Sequence, residues 1–201
     1  MSPLTLNPLA SLRVSSYQIL GHNFIPNTSI QAKPLLIYHS CLPSSATAST
    51  IESHLKETGV VIPQWRYTMY NVTHFHASTH EVLCVFSGQA RLCTLDFFLN
   101  FGKGPLQNWF GLILLGFGGE SNPSKVETEV QKGDVIIIPA GVAHRLLDDF
   151  SSNFQMVGSY PKGKHPDMCC GKEGEEKVKA ISGLGWFERD PLYGDEGPVL
   201  Q

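Results

Sequence analysis

No Cys-x-x-Cys pair occurs among the five cysteines, Cys41, Cys84, Cys93, Cys169 and Cys170. Zinc-ribbon and thioredoxin-like chemistry are therefore not expected. The count is odd, and direct adjacency is poor disulfide geometry for Cys169 and Cys170. All five read as free thiols of a reducing compartment, with a vicinal redox pair as the alternative for the last two. Charge is also scarce: 16% of the residues are charged, and the net value is −3. Lys and Arg are scattered, so no basic face for nucleic acid is expected. No apolar run can cross a bilayer, since the richest, Trp109 to Phe117, has about half of the roughly 20 residues required. A secretory signal is not expected either, because Pro3, Asn7 and Pro8 interrupt the N-terminus and no continuous apolar core follows Arg13. No acidic residue precedes Glu52, yet Arg13 and Lys33 are the only basic residues there, too few for a transit peptide. Internal repeats and low-complexity tracts are missing as well. These absences lead to the expectation of a cytoplasmic protein with no nucleic-acid or membrane partner; a small-molecule partner follows only from the candidate site residues.

What is present is a β-rich pattern. The 19 Gly and 13 Pro are spread along the 201 residues, which suits short strands joined by turns. The length favours one domain, taken as 17–201, after an extension at 1–16 that reads as loosely ordered. Strands are predicted over Tyr17–Leu20, Pro34–Tyr38, Trp65–Val72, Glu81–Phe86, Ala90–Leu95, Val126–Val130, Asp134–Pro139 and Phe154–Tyr160. Val135–Ile138 is apolar throughout, as in a strand buried on both faces. A short helix is predicted within Ala46–Lys56, capped by Ser49 or Thr50 and ended by Gly59. A second is predicted over Lys172–Ile181. The terminal stretch WFERDPLYGDEGPVL carries Trp186, Phe187, Leu192 and Tyr193, side chains costly to leave in water, so it is expected to lie over the sheet as an ordered tail. Strands in this order imply an all-β sandwich or barrel.

The chemistry gathers at two places. His74-Phe75-His76 falls at the end of a predicted strand, where residues two apart share a face and both imidazoles can converge. Glu81 follows after a tight turn. Far downstream, Gly133 and Pro139-Ala140-Gly141 bracket an apolar strand and bring His144 just past a turn, where Gly141 lets the backbone bend. Three neutral imidazoles and one carboxylate suit Fe(II), Mn(II), Ni(II), Zn(II) or Co(II). The competing reading, polar residues that only hydrogen-bond one another inside a barrel, would make burial of three imidazoles and a carboxylate expensive. His80 neighbours Glu81, and alternation turns it away, so it supports the site from behind or serves the turn rather than acting as a further ligand.

The pattern His74-x-His76-x4-Glu81-x6-Gly88 resembles the first cupin motif, and Gly133-x5-Pro139-x-Gly141-x2-His144 resembles the second. Thr68 stands where the first usually opens with Gly, and Asp148 where the second usually ends in Asn; neither is a ligand position. PLLIYHS, HFHASTHEVL, GDVIIIPAGVAHRLL, FQMVGSYPKG and WFERDPLYGDEGP extend the resemblance to the YjlB-like small single-domain cupins over nearly the whole chain. The resemblance implies a double-stranded β-helix (jelly-roll) barrel with a short N-terminal helix and an ordered C-terminal tail, its metal-binding core at about 65–160. It implies one divalent transition metal, Fe(II), Mn(II), Ni(II) or Zn(II), on His74, His76, Glu81 and His144. A metal-dependent enzyme acting on a small organic molecule, first of all by dioxygenase-type oxidation, follows as the expectation. Metal-assisted isomerisation or decarboxylation, and a non-catalytic metal-containing binding or storage protein, are the alternatives. Tyr67, Tyr70, Met156 and Tyr160 are candidates for the substrate pocket, with core packing as the plain alternative. Arg145 could steer an anionic substrate or form a rim salt bridge. Pairing of exposed sheet edges into a homodimer is a further expectation. Between Gly88 and Gly133 lie 44 residues, more than a cupin hairpin needs. The excess, about 94–115, reads foremost as a retained intron, otherwise as a lid or dimer contact.

Overall fold

The computed structural model describes residues 3–92, 119 and 121–201. The chain forms β1 (Arg13–Tyr17), β2 (Leu35–His39), α1 (Ala48–Thr58), β3 (Val61–Tyr67), β4 (Glu81–Ser87), β5 (Gln89–Leu92), β6 (Thr128–Gln131), β7 (Val135–Ile138), β8 (Asp148–Asp149), β9 (Gln155–Pro161) and α2 (Glu175–Ala180). Six strands make one sheet in the order β1-β2-β7-β4-β9-β3, and three make another in the order β6-β5-β8. Every pairing is antiparallel. The all-β expectation, the short helix before the site and the ordered tail all hold. The atypical insert at about 94–115 lies outside the described residues.

Strand alternation divides the large sheet into two apolar faces. Leu35, Ile37, Leu83, Val85, Ile136 and Met156 pack with Ala90 and Val130 of the small sheet, forming the core between the sheets. Their neighbours Leu36, Tyr38, Val82, Cys84, Ile137 and Val157 point the other way, where Ile51 and Leu55 of α1 and Phe187, Leu192 and Val199 of the tail cover them. β7 is buried at all four positions because it is covered on both sides. Each large aliphatic side chain so buried contributes about 1.5–3 kcal/mol.

The ends of several elements differ from expectation for local reasons. The first strand is Arg13–Tyr17 rather than Tyr17–Leu20, pairing with β2 from Arg13↔His39 to Tyr17↔Leu35. Part of the segment expected to be loose is therefore a sheet edge. β3 begins at Val61 and stops at Tyr67, not Val72. Pro63 is tolerated because β3 is an edge strand, and the register shifts between Pro63 and Trp65. The cap of α1 is Thr47, not Ser49 or Thr50. Thr47 Oγ1 accepts from the Thr50 amide at 3.3 Å while Thr50 Oγ1 accepts from the Thr47 amide at 3.0 Å. Gly59 closes the helix at φ +70°. Gly88 turns β4 into β5 at φ +75°, where a Cβ would stand 2.4 Å from Ser151 Oγ.

Candidate metal centre

His74-Phe75-His76 lies beyond β3 in an extended tripeptide held by single bridges on both sides. His74 pairs with His144, and Phe75 with Cys169. The His74 and His144 backbones exchange both hydrogen bonds, at 3.2 and 2.8 Å. Phe75 points into a separate apolar cluster with Ala140, Ala143 and Ile181, which leaves both imidazoles on the opposite side. Glu81 opens β4 on the same face as Leu83 and Val85, directed inward. His144 follows the Pro139–Val142 turn, in which Gly141 adopts φ +89°.

The structure thereby gathers the tripeptide and Glu81, close in sequence, with His144 from far downstream. One ring nitrogen each from His74, His76 and His144 lies within 4.8 Å of the others. Glu81 Oε1 is 3.6 Å from His76 Nε2, and Oε2 is 3.3 Å from His144 Nε2. All four residues are at most 5% exposed, so their charges lie largely out of water.

Hydrogen bonding fixes the state of the imidazoles. His74 Nδ1 donates to the Val72 carbonyl at 2.9 Å, His144 Nδ1 to the Val142 carbonyl at 3.0 Å, and His76 Nδ1 to the Asp167 carbonyl. A carbonyl oxygen only accepts, so each Nδ1 carries hydrogen and each neutral ring presents Nε2 as its lone-pair nitrogen. Metal-ligating imidazoles are oriented in this way.

The electrostatics agree for His74 and His144. Burial pushes His144 down to about 3, the neighbouring His74 and His76 adding to it. Burial also lowers His74. For His76 burial acts downward, but Glu81 and the Asp167 carbonyl outweigh it and hold this ring above its ordinary value. Glu81 would be raised by burial, yet His76, His144 and Tyr160 bring it down to about 2. The buried carboxylate is thus ionised and attracts positive charge. Glu81 Oε1 accepts from the Tyr160 hydroxyl at 2.6 Å, whereas Oε2 has no hydrogen bond. An unbonded, buried carboxylate oxygen among three Nε2 lone pairs is a donor set that fits a divalent cation.

A cleft of about 420 Å³ opens onto this cluster. Of the pocket candidates, Tyr67, Tyr70, Met156 and Tyr160 all line it. Tyr70 meets His74 edge-on at 5.7 Å. Arg145, half-buried beside His144, is not among the lining residues. His80 points away: its Nδ1 accepts from the Ala140 amide at 2.9 Å and its Nε2 donates to the Gly185 carbonyl at 3.0 Å. It packs against Trp186 at 4.9 Å.

Two participants had no signal in the sequence. Trp65 Nε1 donates to Tyr160 Oη at 2.7 Å, so Glu81 ends a Trp65–Tyr160–Glu81 chain. Asp167 takes His76 on its carbonyl, and its carboxylate accepts from the amides of Ala77 and Ser78 at 2.9 and 3.1 Å. Lys177 Nζ is 2.8 Å from the same carboxylate. Trp65 precedes the first motif and Asp167 lies 91 residues beyond His76, so both fall outside the two motifs. Spacing could not have found them.

A family model described as Cupin matches residues 66–158. The uncharacterized protein YjlB of Bacillus subtilis is 29% identical over 170 residues, 84% of each chain. Among solved structures, a mutant of the oxalate decarboxylase OxdC of Bacillus subtilis is similar at a TM-score of 0.34 and 16% identity, over 76% of this chain and 33% of that one. RmlC from Streptococcus suis, in complex with dTDP-D-xylose, is similar at 0.33 and 15%, over 82% and 72%. The chain spans about a third of the length of the oxalate decarboxylase. Among the described residues, no helix is long and apolar enough to cross a membrane.

Proposed function

For a chain that belongs to the cupins, and to their YjlB-like kind, we propose a metal-dependent enzyme acting on a small organic molecule, with dioxygenase-type oxidation as the first reaction class. The observation that carries this reading is the three Nδ1-to-carbonyl hydrogen bonds, which turn three Nε2 atoms and an ionised Glu81 toward one point at the floor of an open cleft. His74, His76, His144 and Glu81 would hold one divalent ion, Fe(II), Mn(II), Ni(II) or Zn(II). Such an ion supplies a Lewis acid and, as iron, a centre for O₂.

The remaining work belongs to the protein. Tyr160, raised well above its ordinary value by burial and by Glu81, keeps its proton and holds the carboxylate in place. Met69, Leu83 and Met156 keep bulk water from the floor of the cleft. Glu81 serves as a ligand before it serves as a base, and among the described residues the lining offers no second carboxylate for proton transfer. A storage role would suit a closed site, and this one is reached by a cleft. The same reading includes a cytoplasmic location, no nucleic-acid or membrane partner, and a homodimer, for which light scattering in solution is the test.

Elemental analysis of protein purified without a metal-affinity tag, beside His76→Ala, tests the proposal. Near-stoichiometric metal, lost in the variant, is expected. Protein that holds no metal and takes none from Fe(II), Mn(II), Ni(II) or Zn(II) overturns it. Turnover that proceeds equally well under argon would replace oxidation by isomerisation or decarboxylation.

A further inference from the structure

The chemistry of the cleft walls narrows the substrate class. Met69, Leu83 and Met156 line the inner part and are at most 5% exposed, while Tyr67, Tyr70 and Met168 line it with more than half of their surface in water. The two tyrosine rings stand 6.0 Å apart, tilted by 48°, a spacing at which aromatic groups pack favourably. Exposed aromatic and thioether groups gathered at one opening are a surface that a bound apolar body would cover.

Positive charge from Lys or Arg is not on offer there. Among the described residues Arg66 is the only such lining residue, and its guanidinium is turned onto α1. Nε is 2.5 Å from Glu52 Oε1, Nη2 is 2.8 Å from Glu52 Oε2, and Nη2 reaches Ser49 Oγ at 3.2 Å. A negative charge carried on the ligand's body, away from the chelating end, would therefore sit among thioethers and rings without a partner. Polar groups concentrate at the floor, around the imidazoles, Glu81 and Tyr160.

Building on the metal-centre reading, we infer that the cleft takes a molecule with a chelating oxygen pair at one end and an uncharged aromatic body at the other, rather than a small chelator that leaves the walls uncovered or one whose body is charged. The volume of about 420 Å³ falls inside the range of about 300–1,000 Å³ usual for such ligands. Tyr67 and Tyr70 are the residues that select the body.

Calorimetric titration of the full chain, metal-free and loaded with Mn(II), with 2,3-dihydroxynaphthalene and with oxalate tests this. The loaded protein should bind the diol at least tenfold more tightly than oxalate. Tyr67→Ala/Tyr70→Ala should weaken the diol at least tenfold and leave oxalate and metal content unchanged, and Tyr67→Phe/Tyr70→Phe should retain diol binding. Both positions are more than half exposed, so the fold should survive. Oxalate binding as tightly as the diol, no binding of either, or indifference of the diol to the alanine pair overturns the inference. Metal content of the same preparation separates the two readings. Protein that retains metal but does not prefer the diol fails only the substrate inference. Protein that retains none, yet binds the diol in a Tyr67- and Tyr70-dependent way, upholds the aromatic selection and fails only the metal centre.

Discussion

Tyr160 sits between two demands at the site, accepting from Trp65 Nε1 and donating to Glu81 Oε1. Tyr160→Phe removes the hydroxyl and takes this bond from the buried Glu81 carboxylate and from the half-buried Trp65 indole. The expected outcome is metal binding about 10–100-fold weaker, measured by competition with a chromophoric chelator; unchanged affinity would mean that Glu81 needs no such support. His80 gives a second residue-scale prediction. Burial pushes its folded pKa down to about 4, against 6.5, with only partial relief from the Gly185 carbonyl. The unfolded chain then takes up the proton first as pH falls. The stability from a neutral His80 is complete above about pH 6.5 and is lost between there and about pH 4, up to about 3 kcal/mol. His144, depressed further, adds a loss of the same sign. Urea unfolding at pH 7 and pH 4.5 should show a smaller acid loss in His80→Gln than in the wild type; equal losses would place the titration elsewhere. The metal-ligand candidates were legible because both motifs have fixed spacing, and the turning away of His80 followed from alternation. Trp65 and Asp167 were not, since each acts through a contact across the fold.

At the scale of elements, the C-terminal tail shows what apolar content predicts and what it leaves out. Trp186, Phe187, Leu192 and Tyr193 announced a packed tail, and all four pack on the outer face of the large sheet. What pins it there is a fully buried carboxylate. Asp190 accepts from Tyr38 Oη at 2.7 Å and from the amides of Leu192 and Tyr193 at 2.8 and 3.0 Å. One Asp in a charged stretch looks like a solvated residue until its partner 152 positions away is known. Strand ends were blurred for a similar reason: composition marks apolar content, whereas pairing across the sheet decides where β1 and β3 begin. Asp190→Ala would remove the acceptor of one hydroxyl and three amides, those of Leu192, Tyr193 and Val199, at a cost of about 3 kcal/mol or more. Thermal melts should register this, together with faster proteolysis after residue 185. Gly197→Ala should act in the same direction, because its Cβ would lie 2.4 Å from Asp190 Oδ2 at φ +137°.

Across the whole molecule, the candidate ligands arrive on separate parts of the chain: the tripeptide after β3, the start of β4, and the turn after β7. The loop after β9 is joined to them through Asp167 and His76. The unfolded chain cannot bring these groups together, so an ion bound there stabilises the native state by mass action. At a free-metal concentration about 1,000 times Kd this amounts to about 4 kcal/mol, or roughly 10 °C in Tm for a chain of this length. Exhaustive chelation should lower the melting temperature by about that much, and readdition of the metal found by elemental analysis should restore it. The control is His76→Ala, whose melting temperature should be the same with and without chelator. The assignment to this cluster therefore rests on the difference between two responses. A wild type insensitive to chelation would mean that the ion contributes nothing to the fold. A variant that still responds would place the stabilising ion away from His76 and detach the cleft from the metal it is proposed to serve.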